Sequence, residues 1–171
     1  MSHTPFRVRR LTPDDVDPFR TLRLEGLRLF PDAFGSAYED EIQFPNERWI
    51  SWLISANVFG GFEGDQLCGC ASLSPGRGAK HAHTGELGAV YVAPATRKRG
   101  LGRQLIDAAH SAASGRFLRI ILTVNAANKT AVNLYLRHGY TVYGRLNGSL
   151  FANGIYHDEL LMVHEILQNS N

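Results

Sequence analysis

The sequence contains few cysteines, carries little net charge and has no long hydrophobic run. Cys68 and Cys70 are the two cysteines among 171 residues. Their C-x-C spacing excludes a C-x-x-C redox motif and does not match a zinc-ligand pattern. No apolar run approaches the roughly 18 residues of a membrane-spanning helix, and the first residues lack the hydrophobic stretch of a signal peptide. We therefore expect a protein of the reducing cytoplasm that does not associate with membranes.

The small net charge excludes a second class of function. A formal charge of +2 is too low for a general nucleic-acid-binding protein, which would show a strong basic excess. A length of 171 residues with ordinary apolar content is enough for one hydrophobic core. The sequence therefore predicts a single domain over residues 1–171, with its important basic residues placed locally.

Hydrophobic periodicity predicts strands and helices in the order β-α-α-β-β-β-α-β-α-β-β. Thr12 and Pro13 are typical of a helix start, and Asn46 is expected to cap the second helix. A strand, a helix and a strand within 86–124 predict a right-handed crossover between parallel strands. Two closing strands, at 140–146 and 155–166, are expected to be antiparallel around a turn-rich segment. The predicted sheet is therefore mixed.

A basic, glycine-containing stretch, RKRGLG, lies between a strand and a helix at residues 97–102. The first turn of a helix exposes unpaired N–H groups with partial positive charge, and glycine lets an anion approach that backbone. The stretch therefore predicts a site for a phosphate or pyrophosphate. It lacks the Lys-Ser/Thr of a Walker loop, and Leu105 stands at the third glycine of a dinucleotide fingerprint. An exposed basic turn that caps a surface helix is the structural alternative.

Two motifs resemble those of the GNAT superfamily of acyl-CoA N-acyltransferases. The first is R/Q-x-x-G-x-G/A at residues 97–102. The second is Asn-x-x-Asn-x-x-Ala-x-x-Leu-Tyr-x-x-x-Gly-Phe/Tyr, which starts at Asn125 and ends at Tyr140. The opening helices and the closing YHDELLM strand also resemble the family, in the family's order. The resemblance implies an α/β (α+β) fold with a single mixed, mostly antiparallel central sheet and helices on both faces.

The resemblance also implies acetyl-CoA as co-substrate and a set of contacts for it. The loop would wrap the pyrophosphate, and the backbone around Val90 and Val92 would pair with the pantetheine arm and supply an oxyanion donor. Asn128 is expected to cap its helix as well. The implied cofactor-binding residues are Val90, Val92, Arg97, Lys98, Arg99, Gly100, Leu101, Gly102, Arg103, Asn125, Asn128, Ala131 and Tyr135. No metal is expected, because His81-x-His83 has no apparent third ligand.

Acetyl transfer to an amine needs a base and an acid. An alkylammonium, with a pKa of about 10, has no lone pair at neutral pH, and the departing thiolate benefits from a proton. By its motif position, the resemblance implies that Tyr135 is the acid; a core aromatic is the alternative. It implies that Glu86 is the base, acting through water; a strand glutamate in a salt bridge is the alternative. His83 is a weaker candidate for the same proton.

These features predict an N-acetyltransferase that moves the acetyl group of acetyl-CoA to a primary amine of a small molecule or peptide, by direct attack in a ternary complex. A catalytically idle acyl-CoA-binding sensor or regulatory module is the alternative. Acidic residues at 39–41 favour a cationic acceptor, or else form a solvated acidic face. The closing strands carry apolar residues on both faces, which predicts a possible homodimer.

Overall fold

A computed structural model describes residues 5–166, and these contain one seven-stranded sheet in the order β1-β2-β3-β4-β5-β7-β6. Neighbouring strands pair in antiparallel fashion except β4 and β5, which are parallel. The predicted mixed, mostly antiparallel sheet is therefore confirmed. The strands are β1 Arg7–Arg10, β2 Asn57–Glu63, β3 Gln66–Pro75, β4 Thr84–Val92, β5 Arg119–Asn125, β6 Thr141–Ala152 and β7 Ile155–Glu165.

Helices cover both faces of the sheet. They are α1 Val16–Leu29, α2 Tyr38–Glu41, α3 Asn46–Ser55, α4 Leu101–Ala113 and α5 Lys129–Arg137. One core cluster joins α1 and α3 to the sheet through Phe19, Trp49 and Leu53. The other joins α4 and α5 to the opposite face, with Leu105, Ile106 and Ala109 fully buried. Their spacing in the sequence predicts a single apolar stripe along α4, and this stripe is the face that packs on the sheet.

The predicted crossover is confirmed as a parallel β4–α4–β5 unit, but two local predictions were wrong. Asn46 is the first residue of α3, and Pro45 holds the cap position because its backbone is still extended. The turn-rich segment at 147–154 belongs mostly to β6, which continues to Ala152. Only Asn153 and Gly154 form the turn, at φ 53° and 74°, a left-handed conformation that glycine and asparagine tolerate.

The parallel pairing of β4 and β5 is short. It runs from Thr84 opposite Arg119 to Glu86 opposite Ile121, and the strands separate beyond that point. Strand β4 is also bulged there, because its register with β3 shifts between Cys70 and Ser72 and Ala89 has a φ of 50°. The fold therefore contains an opening in the middle of the sheet, between two adjacent strands.

Candidate functional site

A cavity of about 460 Å³ occupies the opening between β4 and β5. Strand β4 contributes residues 86–90 to its wall, and β5 contributes residues 121–124. Helix α5 closes one side, and the segment 33–36 that follows α1 closes another. The peptide groups of β4 that would bond β5 in a continuous ladder border this space instead, so they are available to a ligand. The cavity can therefore bind an extended ligand by backbone hydrogen bonds.

The bulge at Ala89 determines which side chains of β4 face the α4/α5 core and which face the α1/α3 core. Leu87 packs in the α4/α5 core, and Val90 and Val92 pack against that same core. Tyr91 instead belongs to the α1/α3 core. Val90 and Val92 therefore share one face of β4. Their contact with a pantetheine arm stays a prediction.

Gly100 places the start of α4 at the end of the basic loop. Its φ of 87° is in the left-handed region, and a Cβ at this position would meet nothing within 4 Å. Glycine is therefore favoured here by backbone conformation rather than by crowding. Helix α4 begins at Leu101, so the N–H groups of its first turn have no partners within the helix. This is the geometry that an anion site at a helix start requires.

Three basic side chains of this region contact other residues of the protein, which the sequence did not predict. The Arg97 Nε donates to the Val92 carbonyl at 2.9 Å, and its guanidinium lies 4.3 Å from the Phe30 ring centroid. The Arg99 Nη2 lies 2.6 Å from the Glu63 carboxylate, and Arg103 is 3.6 Å from Asp107. These contacts orient the loop and offset part of its charge. Contact of Arg97, Lys98, Arg99 or Arg103 with a phosphate stays a prediction.

Asn125 and Asn128 shape the site through their amide groups. The buried Asn125 donates from Nδ2 to the Asp32 carbonyl at 2.8 Å, and its Oδ1 accepts from the Ala127 N–H. It thereby attaches the segment after α1 to the end of β5. Asn128 accepts the Ala131 N–H at 3.1 Å, so the predicted helix cap is confirmed. Asn128 also lines the cavity, whereas Asn125 supports its wall.

Tyr135 and Glu86 reach the cavity from different elements. Tyr135 is only 7% exposed and lines the cavity one helical turn after Ala131. Burial raises the pKa of its hydroxyl, so the group holds its proton at neutral pH. Glu86 is exposed where β4 and β5 stop pairing. The structure therefore brings both candidates to one cavity, while their catalytic roles stay predictions.

Glu86 also borders a second cavity of about 440 Å³, whose wall includes His81, Arg119 and Glu165. Ile121 and Tyr143 belong to both walls, so the two cavities adjoin at Glu86. His83 precedes β4, and its carbonyl accepts the Leu118 N–H at 2.8 Å. This arrangement places Glu86 between two spaces through which an acceptor could approach.

Arg23 is a cavity residue that the sequence analysis missed. It lies on α1 among the buried Phe19, Leu22 and Leu27, and a charge within an apolar helical stripe was the available signal. Its Nε and Nη2 donate to the two carboxylate oxygens of Glu41 at 2.9 and 2.8 Å. Glu41 is therefore buried and paired, so it is not part of a solvated acidic face.

Among residues 5–166, no group of three or more His, Cys, Asp or Glu side chains could hold a metal ion. Within the same residues, every helix is too short or too polar to cross a membrane. Cys68 and Cys70 are both buried and free.

Comparison with known proteins identifies the family. The model of the acetyltransferase (GNAT) family matches residues 23–140, which is more than half of the chain. An uncharacterized N-acetyltransferase of Methanocaldococcus jannaschii is 28% identical over 148 residues, covering 79% of this chain. The chain spans about 60% of that relative's length.

Solved structures show the same fold. A GNAT-family acetyltransferase of Streptococcus pneumoniae has a TM-score of 0.83 at 23% identity, covering 95% of this chain and 99% of its own. A Salmonella typhimurium structure solved with its cofactor acetyl-CoA has a TM-score of 0.85 at 18% identity, covering 98% of this chain and 97% of its own. The fold, the split between two parallel strands and the match of the family model lead to one conclusion: this chain belongs to the GNAT family of acetyltransferases.

Proposed function

We propose that this protein transfers the acetyl group of acetyl-CoA to a primary amine of a small molecule or peptide, by direct attack within a ternary complex. The observation that carries the proposal is the cavity between β4 and β5, which Glu86 and Tyr135 reach from two different elements. A base and an acid at the same opening are what a one-step transfer from thioester to amine needs.

The residues present suit acetyl-CoA. The N–H groups at the start of α4 and the open space beside Gly100 fit a pyrophosphate. The unpaired edge of β4 offers backbone donors and acceptors to an amide-containing arm. Acetyl-CoA supplies the activated acetyl thioester. A neighbour of this fold was solved with acetyl-CoA, which supports the assignment.

In the proposed reaction the amine nitrogen forms a bond to the acetyl carbon while the carbon–sulfur bond breaks. Glu86 takes the amine proton through a water molecule, which leaves a lone pair for attack. A backbone N–H of β4 near Val90 donates to the carbonyl oxygen as negative charge develops on it. Tyr135 gives its proton to the departing sulfur, and the second proton that the nitrogen loses returns through water to the Tyr135 oxygen. The products are an N-acetylated amine and a free thiol.

The test is a screen of primary amines with acetyl-CoA, following thiol release and the acetylated product together. We expect thiol release that depends on the amine and matches product in amount. Binding of acetyl-CoA without release for any amine would instead support the alternative, an idle acyl-CoA-binding sensor. Failure to bind acetyl-CoA would contradict both.

We also propose that two copies associate through the hairpin of β6 and β7. Six of its large apolar side chains are exposed, and Tyr156 is the most exposed of them at 72%: Val142, Tyr143, Leu146, Phe151, Ile155 and Tyr156. Burying such a surface is favourable, and β6 is also an edge strand that would otherwise expose unpaired backbone groups. Tyr143 lines both cavities, so a partner on this hairpin would lie close to the site.

Two further expectations belong to this proposal. We propose that residues 1–171 act as one acetyltransferase domain. We place it in the cytoplasm, because its two free cysteines suit a reducing compartment.

A further inference from the structure

The guanidinium of Arg23 is held in a fixed position inside the protein. Arg23 is 4% exposed, and its two hydrogen bonds to Glu41 form a bidentate pair. The charged carbon lies 4.9 Å from the Phe34 ring centroid and 5.6 Å from that of Trp52. Such a planar fork between aromatic rings is oriented before any ligand arrives.

One nitrogen of this fixed group has no partner. Arg23 Nη1 is buried and makes no hydrogen bond, whereas Nε and Nη2 are both used by Glu41. A buried charged donor without an acceptor is costly, and native proteins rarely leave one unless a ligand or water completes it. Three side chains among residues 5–166 have such an atom, namely Arg23, Trp49 and His157, and of these only Arg23 lines the cavity.

We infer that Arg23 is a specificity residue that binds a carboxylate of the acceptor through Nη1, so that the protein selects amino acids over simple amines. This inference rests on the proposed function and names the acceptor class of the same cavity. Nη1 carries two N–H groups, and charge-assisted bonds to a carboxylate are the strongest that it can form. Glu86 lines the same cavity and suits the ammonium end of a zwitterion.

Hydrogen bonding, rather than net charge, favours this ligand over a carboxylate-free amine. Glu41 already neutralises Arg23, so the pair offers an acceptor the unpaired N–H groups of Nη1 rather than a net charge. A simple amine would satisfy Glu86 and leave Nη1 unpaired. A site built to hydrogen-bond one group of its substrate rejects analogues that lack it, because its own polar atoms then stay unpaired.

The test compares matched acceptors with acetyl-CoA-loaded protein. Each of the proteinogenic amino acids is assayed beside its amide and its decarboxylated amine, and kcat/KM is obtained from thiol release. We expect at least one amino acid to be acetylated with kcat/KM at least tenfold above both of its analogues, mainly through KM. The amide arm separates a carboxylate requirement from recognition of a peptide-like carbonyl.

The variants separate recognition from folding. Arg23→Gln alone leaves Glu41 buried without a partner and is expected to destabilise the protein. The double variant Arg23→Met with Glu41→Leu removes the pair together, which buried ion pairs often tolerate. It should keep acetyl-CoA affinity, while the preference in kcat/KM for an amino acid over its amide and its decarboxylated amine is lost. Arg28→Gln, at an exposed position of the same helix, should keep the preference for the carboxylate.

The possible results distinguish the two proposals. Carboxylate preference in the wild type that disappears in the double variant supports the role of Arg23. Amines or amides acetylated as well as the amino acids would overturn the inference and leave the acetyltransferase proposal standing. Preference that survives in the double variant, or acetyl-CoA binding with no amino acid acetylated, would also overturn it. Failure of the wild type to acetylate any amine, with or without acetyl-CoA binding, would overturn both.

Discussion

The hydroxyl of Tyr135 is buried in the cavity wall, and its raised pKa keeps it protonated. If it protonates the departing thiolate, Tyr135→Phe removes the acid with almost no loss of packing. General acids typically contribute about 10²–10⁴-fold, so kcat should fall by that factor when chemistry limits the rate. Acetyl-CoA affinity and melting temperature should change little. The measurement is single-turnover acetyl transfer beside calorimetric binding.

Tyr140 offers a matched control for this substitution. Its ring packs 5.6 Å from that of Tyr135, but its hydroxyl contacts His110 at 3.1 Å. Tyr140→Phe should therefore lower stability slightly and leave kcat near the wild-type value. Wild-type turnover in Tyr135→Phe would show that Tyr135 is only a core aromatic.

Glu86 must be ionised to accept a proton, so its loss should change the pH dependence of the rate. Glu86→Gln keeps the size of the side chain and removes the base. We expect kcat/KM to fall by about 10²-fold or more at neutral pH and the acidic limb of the profile to move. The same profile for Glu39→Gln, at an exposed position of α2, should match the wild type. An unchanged acidic limb in Glu86→Gln would assign the proton to water or to another group.

At the scale of elements, the start of α4 is the proposed phosphate site. Gly100→Asp adds a negative charge there, whereas Gly100→Asn adds nearly the same volume without the charge. Both side chains tolerate the left-handed backbone better than other residues do. We expect acetyl-CoA to bind Gly100→Asp about 3–30-fold more weakly than Gly100→Asn. Repulsion between the aspartate carboxylate and the pyrophosphate should cost about 0.7–2 kcal/mol of binding free energy.

Salt distinguishes charge from shape in this comparison. Calorimetry at rising ionic strength should reduce the difference between the two variants, because salt screens exposed charges. Equal affinities of Gly100→Asp and Gly100→Asn for acetyl-CoA at low salt would contradict the placement of the pyrophosphate at the start of α4.

Helix α4 also contacts the end of α5 and β7 through three histidines. His110 stacks on His164 at 4.4 Å between ring centroids, and His138 lies 3.4 Å from Asp107. Burial, and then the neighbouring His164 and His138, lower the pKa of His110 to about 4. Its ordinary value is about 6.5, so the unfolded chain binds a proton at a higher pH than the folded protein does.

Stability should therefore decrease as the pH falls from about 6.5 towards 4 and change little from this group above 6.5. After allowance for partial exposure, His110 should contribute about 1–2 kcal/mol of this loss. Denaturant unfolding at pH 7.5 and 5 measures it. His110→Gln should show a smaller difference between the two values, while Ser111→Ala, at an exposed position of the same helix, should keep the wild-type difference. An unchanged difference in His110→Gln would contradict the low pKa.

At the scale of the whole molecule, the exposed hairpin predicts self-association. Light scattering at micromolar protein should give the mass of two copies. Replacing Phe151 and Tyr156 by Asp should give one copy, because association would then bury two charges in the proposed interface. Ile54→Asp, at an exposed apolar position on α3, should leave the assembly intact. A single-copy mass for the wild type would contradict the proposed homodimer.

Most elements were predictable because their signals are local. Helix α4 follows from apolar spacing after Gly100, and the cap of α5 follows from Asn128. The extension of β6 to Ala152 was not predictable, because Asn147, Gly148 and Ser149 are residue types typical of turns. Residues 147–149 form a bulge in which Gly148 has a φ of 59°, and pairing with β7 resumes at Leu150 opposite His157, so the strand continues.

The sequence by itself determined the family resemblance, the glycine at the start of α4 where an anion site is predicted, and the presence of Glu86 and Tyr135 near its motifs. These features depend on residues close together in the chain. Only the tertiary structure decided that β4 and β5 separate beyond Glu86, that Asn125 attaches to Asp32 and that Arg23 pairs with Glu41. The last two contacts join residues 93 and 18 positions apart, respectively. Local patterns carry no information about such partners, because packing of the complete sheet and helices brings them together.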